Sequence, residues 1–336
     1  MRETITIRLN EAKKTTSCGS SLARSLYALP VDILLTGELG AGKTTFLQGF
    51  AQGLGIPGPV TSPTYALEQR YKTADGRPFI HIDLYRLSPQ HAAQLLAQTD
   101  DHNGIRCIEW ADRMTAPASH PSIKIHCAHE GNGRSVSITF DDIPVPTGTQ
   151  IDQWRKDARL PAHIIAHCET VARVAITCAK ELIERGLIVR LKAAEASAKV
   201  HDLLRFVDFY RQDSGPHQQT STDDEEAWSS IAKRYPGMNH ESASAEFVRE
   251  KGFSAVADMG LLHGLRNPIE SRKTVEQKLV YYADKRVSFD RIVTLDERFN
   301  DLRERYSAGQ KTIENEQWLA DGKITEKELF PDGPPL

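Results

Sequence analysis

No cysteine pair spaced C-x-x-C occurs in this sequence, and its five cysteines (Cys18, Cys107, Cys127, Cys168, Cys178) are odd in number. Neither a disulfide framework nor a zinc ribbon is indicated, and the thiols read as small buried hydrophobes. Long apolar runs are also missing. No stretch approaches the ~20 residues that span a bilayer, and the opening MRETITIRLNEAKK lacks the apolar core of a signal peptide. The expected compartment is the cytoplasm, with no membrane contact. A marked excess of charge of either sign is missing as well: a net charge of −3 leaves no electrostatic footprint for nucleic acid. Any RNA contact is expected to be local or carried by a partner.

What is present is an ordinary globular balance, 40% hydrophobic and 26% charged, over 336 residues. That length exceeds what one core usually fills and predicts about two domains. ETITIRL alternates apolar and polar residues, VDILLTG is a compact apolar run, and FIHIDLYRL and GIRCIEW are similar, so each is expected to be a strand. Between the second and the next strand, KTTFLQGFAQGLG puts Phe46, Leu47, Phe50 and Leu54 on one helical stripe. Strand, glycine loop, helix, strand is the unit of an α/β sheet. SIKIHCA and RSVSITF add two further short strands.

Residues 141–156 are expected to link the halves, because DDIPVPTGTQ carries prolines and turn formers without periodicity. Beyond them the pattern becomes helical, with Val171, Val174, Cys178 and Leu182 at helical spacing and helix-favouring runs in KAAEASAKVHDLL and TVEQKLVYYADKRVSF. RQDSGPHQQTSTDDEEA (211–227) reads as a mobile loop, residues 308–336 as a tail, and the closing FPDGPPL as frayed. The fold expected is an α/β domain over 1–140 followed by an all-α domain over 157–307.

Gly37, Gly42, Lys43 and Thr44 fit G-x-x-x-x-G-K-[ST], the loop whose backbone N–H groups wrap phosphates. Lysine neutralises the β and γ phosphates there, and the hydroxyl reaches Mg²⁺ at a helix N-terminus that favours anions. Asp83, ending an apolar strand, is placed to hold Mg²⁺ through water, and Glu109, at another strand end, to orient the attacking water. Chance solvation of a strand-end carboxylate is the bland alternative for each.

GELGAGKTT, TSPTY, HIDLYRL and IEW, in that order, resemble the TsaE family (also called YjeE), the P-loop ATPase of tRNA threonylcarbamoyladenosine synthesis, over residues 1 to about 140. The resemblance implies a mostly parallel sheet. It puts ATP and Mg²⁺ at Gly37, Gly40, Gly42, Lys43, Thr44, Thr45 and Trp110, with Asp83 and Glu109 as the acidic pair. It also places Thr61, Ser62 and Thr64 in a switch-like segment. The partners it implies are the TsaB and TsaD proteins, with tRNA met indirectly. A P-loop nucleotide kinase is the rival reading, but residues 56–70, IPGPVTSPTYALEQR, show no arginine-rich lid.

In the second half, His167, His201, Asp202, His240, His263 and Asp284 form an ordered series of ligands suited to Mn²⁺, Fe²⁺ or Zn²⁺. HCETVARVA, KVHDLL, NHESASAEF, LLHGL and YADKRV resemble the HD-domain phosphohydrolase superfamily over 157 to about 307. The resemblance implies that His167, His201, Asp202 and Asp284 are a four-ligand set and that His240 and His263 are the extra histidines of two-metal versions. Asp202 would then be both bridging and catalytic. HDLLR departs from the frequent HD-I-G-K form, so that Arg205 either replaces a phosphate-facing lysine or caps the helix. His163 reads as a satisfied or exposed histidine, and His81, His91 and His217 receive no role. The expectation is a TsaE-like ATPase fused to a metal-dependent phosphohydrolase of nucleotides or phosphate esters. A non-catalytic docking module is the alternative for the second half.

Overall fold

The computed structural model describes residues 2–209, 221–307 and 309–336. The chain divides into a first unit of Met1–Ile143 with Leu182–Arg190, and a second of Pro144–Glu181 with Leu191–Leu336.

The first unit is built on a seven-stranded sheet: β1 (Glu3–Leu9), β2 (Val31–Thr36), β3 (Glu68–Lys72), β4 (Pro78–Asp83), β5 (Ile105–Glu109), β6 (Ser122–Glu130) and β7 (Gly133–Asp141), in the order β1-β7-β6-β2-β5-β4-β3. Strands β6, β2, β5 and β4 are parallel, and β1, β7 and β3 join antiparallel at the edges. The expected mostly parallel α/β sheet is therefore present. Its central strands read as continuous apolar runs because both of their faces are covered. Helices α1 (Ala12–Leu22) and α2 (Lys43–Gly53) bring Cys18, Leu22, Phe46, Leu47 and Phe50 into one core with Val31, Ile33 and Leu35. On the opposite face, Ala92 of α3 (Pro89–Ala97) joins Leu34, Ile80, Ile82 and Ile108.

Helices α1 and α2 approach closely at glycine. A Cβ on Gly49 would lie 1.9 Å from the Thr16 carbonyl oxygen, and one on Gly19 2.0 Å from that of Phe46. At the N-terminal ends of the central strands, register partners Asp32 and Arg106 form a buried bidentate pair at 2.8 and 2.9 Å, with His102 Nε2 donating to Asp32 at 3.1 Å. Segment 182–190 returns to this unit. Ile188 lies in its core, and Arg190 makes a bidentate pair with Asp142 at 2.6 and 2.7 Å, both side chains buried.

Helices of the second unit are α4 (Gly148–Asp157), α5 (Ala162–Glu184, whose last residues belong to the first unit), α6 (Leu191–Val200), α7 (Phe206–Phe209), α8 (Thr222–Arg234), α9 (His240–Glu250), α10 (Ser254–Leu261), α11 (Val275–Lys285), α12 (Leu295–Ser307) and α13 (Ile313–Leu329). Val171, Val174, Cys178 and Leu182 of α5 are all fully buried, as their spacing required. All five cysteines are free and buried. Among the described residues, no helix is long and apolar enough to cross a membrane.

Four sequence expectations need correction. Half of the expected linker 141–156 is helix α4, started by a capping box between Thr147 and Gln150. Ser221 and Asp224 likewise cap α8, so 222–227 is helix; 211–220, including His217, lies outside the described residues. The expected tail contains α13, capped by Thr312 and Asn315, and its end is held: Phe330 is buried against Tyr282, and Arg286 Nη2 donates to the Leu336 carbonyl at 2.9 Å. A two-residue hairpin, β8 (Val287–Ser288) with β9 (Arg291–Ile292), interrupts the all-α pattern.

Candidate functional site

In the first unit, β2 feeds a loop whose glycines Gly37, Gly40 and Gly42 have φ of 127°, 78° and 106°. Side-chain-bearing residues rarely adopt that region. A Cβ on Gly37 would also lie 2.0 Å from the Cys127 carbonyl oxygen. Such windings aim successive backbone N–H groups at anions just ahead of a helix N-terminus, here that of α2.

Lys43, the first residue of α2, is buried and donates to the carbonyls of Gly37 at 2.8 Å and Glu38 at 2.9 Å. Its ammonium lies 3.9 Å from the centre of the Trp110 ring. Burial pulls its pKa below the ordinary lysine value, and the nearby Glu109 and Asp83 carboxylates only partly restore it. Thr44 donates its hydroxyl to Glu109 Oε1 and Oε2, at 2.8 and 3.0 Å. Thr45 is half-buried in the same turn.

Parallel pairing sets Asp83 beside Glu109 and His81 beside Cys107. Residues two apart on a strand share a face, so His81, Asp83 and Glu109 gather at the C-terminal strand ends, beyond which open α/β sheets bind ligands. His81 Nε2 donates to Glu109 Oε1 at 3.0 Å, with both side chains buried. Asp83 accepts from Ser62 at 3.1 Å, Thr64 at 2.6 Å and the Tyr85 backbone at 2.8 Å. His81 is the residue that sequence reading passed over, although its i, i+2 spacing to Asp83 was the available signal. His91 is exposed at the N-terminus of α3, against Ser88. A cavity of about 580 Å³ opens beside the loop, bounded by Gly37, Glu38, Trp110, Asp112, His126 and His129.

This fold and loop define a P-loop nucleotide-binding domain. Family comparison matches residues 9–136 to "Threonylcarbamoyl adenosine biosynthesis protein TsaE". The chain is 39% identical over 140 residues to the tRNA threonylcarbamoyladenosine biosynthesis protein TsaE of Nostoc sp. (strain PCC 7120), covering 40% of this chain and 84% of that one. It is 44% identical over 116 residues to the protein of that name from Bacillus subtilis (strain 168), covering 34% and 72%. The crystal structure of Bacillus subtilis YdiB is 29% identical over 42% of this chain and 88% of that one, with a TM-score of 0.34. The chain belongs to the TsaE family through its first unit.

The second unit gathers all six residues singled out in its sequence. His167 Nε2 lies 3.1 Å from Asp284 Oδ1, and His201 Nε2 lies 3.7 Å from that oxygen and 3.8 Å from Asp202 Oδ2. His240 and His263 present Nε2 to Asp202 Oδ1 at 3.1 and 3.4 Å. The other ring nitrogen of each is held by an acceptor. His167, His201 and His263 donate Nδ1–H to the carbonyls of Phe289, Ala198 and Gly260, each at 2.7 Å, and His240 donates to Asp208. A histidine fixed in this way turns the lone pair of Nε2 toward the carboxylates, the arrangement in which imidazole binds metal.

Burial opposes ionisation of Asp202, but His201, Arg205 and His240 outweigh it and hold the carboxyl well below its usual range. Asp284 is depressed likewise, burial being outweighed by Lys285, His167 and His201. His201 Nε2 and Asp202 Oδ1 are buried without a hydrogen-bond partner. Buried acceptors of this kind are costly unless a cation lies among them, and the sets His167, His201, Asp284 and His201, Asp202, His263 each bring ligand atoms within 4.8 Å of one another, so the residues present fit a divalent metal. Arg205 reaches into the cluster, 2.6 Å from His240 Nε2 and 3.9 Å from Asp202 Oδ1. His163 is exposed on α5.

Proposed function

We propose that this chain couples two phosphate chemistries: a TsaE-type ATPase serving tRNA N6-threonylcarbamoyladenosine synthesis, and an HD-type metal-dependent phosphohydrolase of a nucleotide or phosphate ester. Membership of the TsaE family and the grouping of Lys43, Thr44, Asp83 and Glu109 at one end of the sheet support the first. The convergence of four imidazole Nε2 atoms on Asp202 and Asp284 carries the second.

In the first unit, Lys43 exchanges the Gly37 and Glu38 carbonyls for the β and γ phosphates of ATP, while loop N–H groups cradle the chain of phosphates. Thr44 and Asp83 would hold Mg²⁺, whose charge would offset that of the phosphates. Freed from Thr44, Glu109 orients the attacking water, with His81 holding the carboxylate from behind. TsaB and TsaD are the partners, and tRNA is met through them.

In the second unit, His167, His201, Asp202 and Asp284 would hold a transition metal (iron, manganese or zinc), and His240 and His263 with Asp202 would hold another. Such ions would supply Lewis acidity toward a phosphoryl oxygen and acidify water. Arg205, at the edge of the cluster, orients the phosphate ester.

The test is metal content and phosphate release by the full-length protein against a nucleotide panel, beside Asp202→Ala and Lys43→Ala variants. An activity lost in Asp202→Ala and kept in Lys43→Ala supports two independent sites. A protein without bound metal, unchanged by Asp202→Ala, would reduce the second unit to a docking module.

A further inference from the structure

We infer that, of the two metal sites that meet at Asp202 in the reading above, the one on the His240 and His263 side depends on Asp208 as its positioning residue. The inference rests on the metal-binding reading given above.

The two sides of Asp202 differ in charge. Toward Oδ2 stand His167, His201 and a second ionised carboxylate, Asp284. Toward Oδ1 stand the imidazoles of His240 and His263, with the Arg205 guanidinium beside them. A dication on the Oδ1 side would thus meet two imidazoles and one shared carboxylate oxygen, with the Glu241 carboxylate grouped beside them and the Arg205 cation in contact with His240. The acceptors behind the rings differ in the opposite sense. His167, His201 and His263 lean on neutral backbone carbonyls, whereas His240 leans on the carboxylate of Asp208.

Asp208 grips His240 twice. One oxygen takes the ring Nδ1–H, and the other takes the backbone N–H of the same residue at 2.9 Å. One carboxylate therefore holds both the ring and the backbone of His240, and it makes the imidazole a stronger donor through Nε2. The Glu241 carboxylate, 3.2 Å from the same Nδ1, adds negative charge. Lys285, whose ammonium contacts Asp284 and donates to the His263 carbonyl at 3.0 Å, tempers the charge-rich side. Negative charge is thus supplied from behind the ring on the side where the Arg205 cation stands.

The experiment titrates metal-free, full-length protein with Mn²⁺ and with Zn²⁺ by calorimetry, for the wild type, Asp208→Asn and His167→Gln. The wild type should take two ions in separable steps. Asp208→Asn should weaken one step by about 10–100-fold and leave the other within about twofold. His167→Gln should weaken the step that Asp208→Asn spares. A merely structural role for Asp208 would move both steps together. Should the Asn variant not fold, Asp208→Glu, which keeps the charge but displaces it, should weaken the same step by a smaller factor. The proposal is overturned if Asp208→Asn leaves both steps intact, if the two variants act on one step, or if a single ion binds. A wild type that takes no metal removes the underlying reading as well.

Discussion

The Thr44 hydroxyl donates to both oxygens of Glu109, at 2.8 and 3.0 Å, so the helix that follows the phosphate loop is tied directly to the neighbouring strand end. Glu109→Gln should therefore do two separate things. With its charge gone, the side chain can no longer polarise water, and ATP hydrolysis should fall by about 100-fold or more. Nucleotide affinity should stay within about threefold, because on the proposed reading Lys43 and the backbone bind the phosphates. Phosphate release and nucleotide titration distinguish these effects; an equal loss in both would show that Glu109 serves binding.

His81 reaches the same carboxylate from the sheet interior. Replacing it with Ala leaves a buried glutamate oxygen short of a donor, which costs about 1–3 kcal/mol and frees the carboxylate to rotate. We expect kcat to drop about tenfold or more while KM for ATP changes little. If KM rises and kcat holds, His81 acts on nucleotide binding and not through Glu109.

How far these sites were legible in the sequence depended on what marked them. Lys43 and Thr44 were visible because the phosphate loop is local: its glycines and its lysine lie within one turn of chain. Asp83 and Glu109 were visible as the last residues of apolar runs. His81 was not, because its partner is 28 residues away and only the parallel register brings them together. Asp208 was hidden similarly, since its partner His240 lies beyond 211–220 in the chain. Helices α4, α8 and α13 were missed for a different reason. Their polar starts resembled loops, yet Thr147/Gln150, Ser221/Asp224 and Thr312/Asn315 have the spacing of a capping box.

Buried in the sheet away from the loop, Asp32 faces Arg106 and His102. Burial works against its charge, but His102 and Arg106 prevail and lower its pKa. A depressed carboxylate contributes stability above its unfolded pKa of about 3.9 and loses that contribution as pH falls toward the folded value. Denaturant midpoints of the wild type should therefore decline below about pH 4. Asp32→Ala takes the bidentate partner from a buried guanidinium and leaves it the Leu96 carbonyl, Thr99, Ser119 and the half-exposed Asp100, which should cost about 3–5 kcal/mol at neutral pH. A loss under about 1 kcal/mol would mean that these remaining acceptors suffice.

Gly49 tests packing without touching either site. Its missing side chain admits the Thr16 carbonyl, and Gly49→Val would force α1 and α2 apart. We expect destabilisation of about 1–3 kcal/mol, read as a lower thermal midpoint of the first unit. Nucleotide binding measured well below that midpoint should persist; its loss would show that α1 supports the loop directly.

The buried Asp142–Arg190 pair has a consequence for dissecting the chain. Its two partners belong to the same unit but flank residues 144–181, which belong to the other. A fragment stopped near residue 140 keeps the entire stretch that aligns with the TsaE family, and still discards Ile188 from the core. One stopped just after Asp142 retains that carboxylate and removes its counter-ion. The module delimited by alignment and the compact unit that completes this core are therefore different objects in this polypeptide.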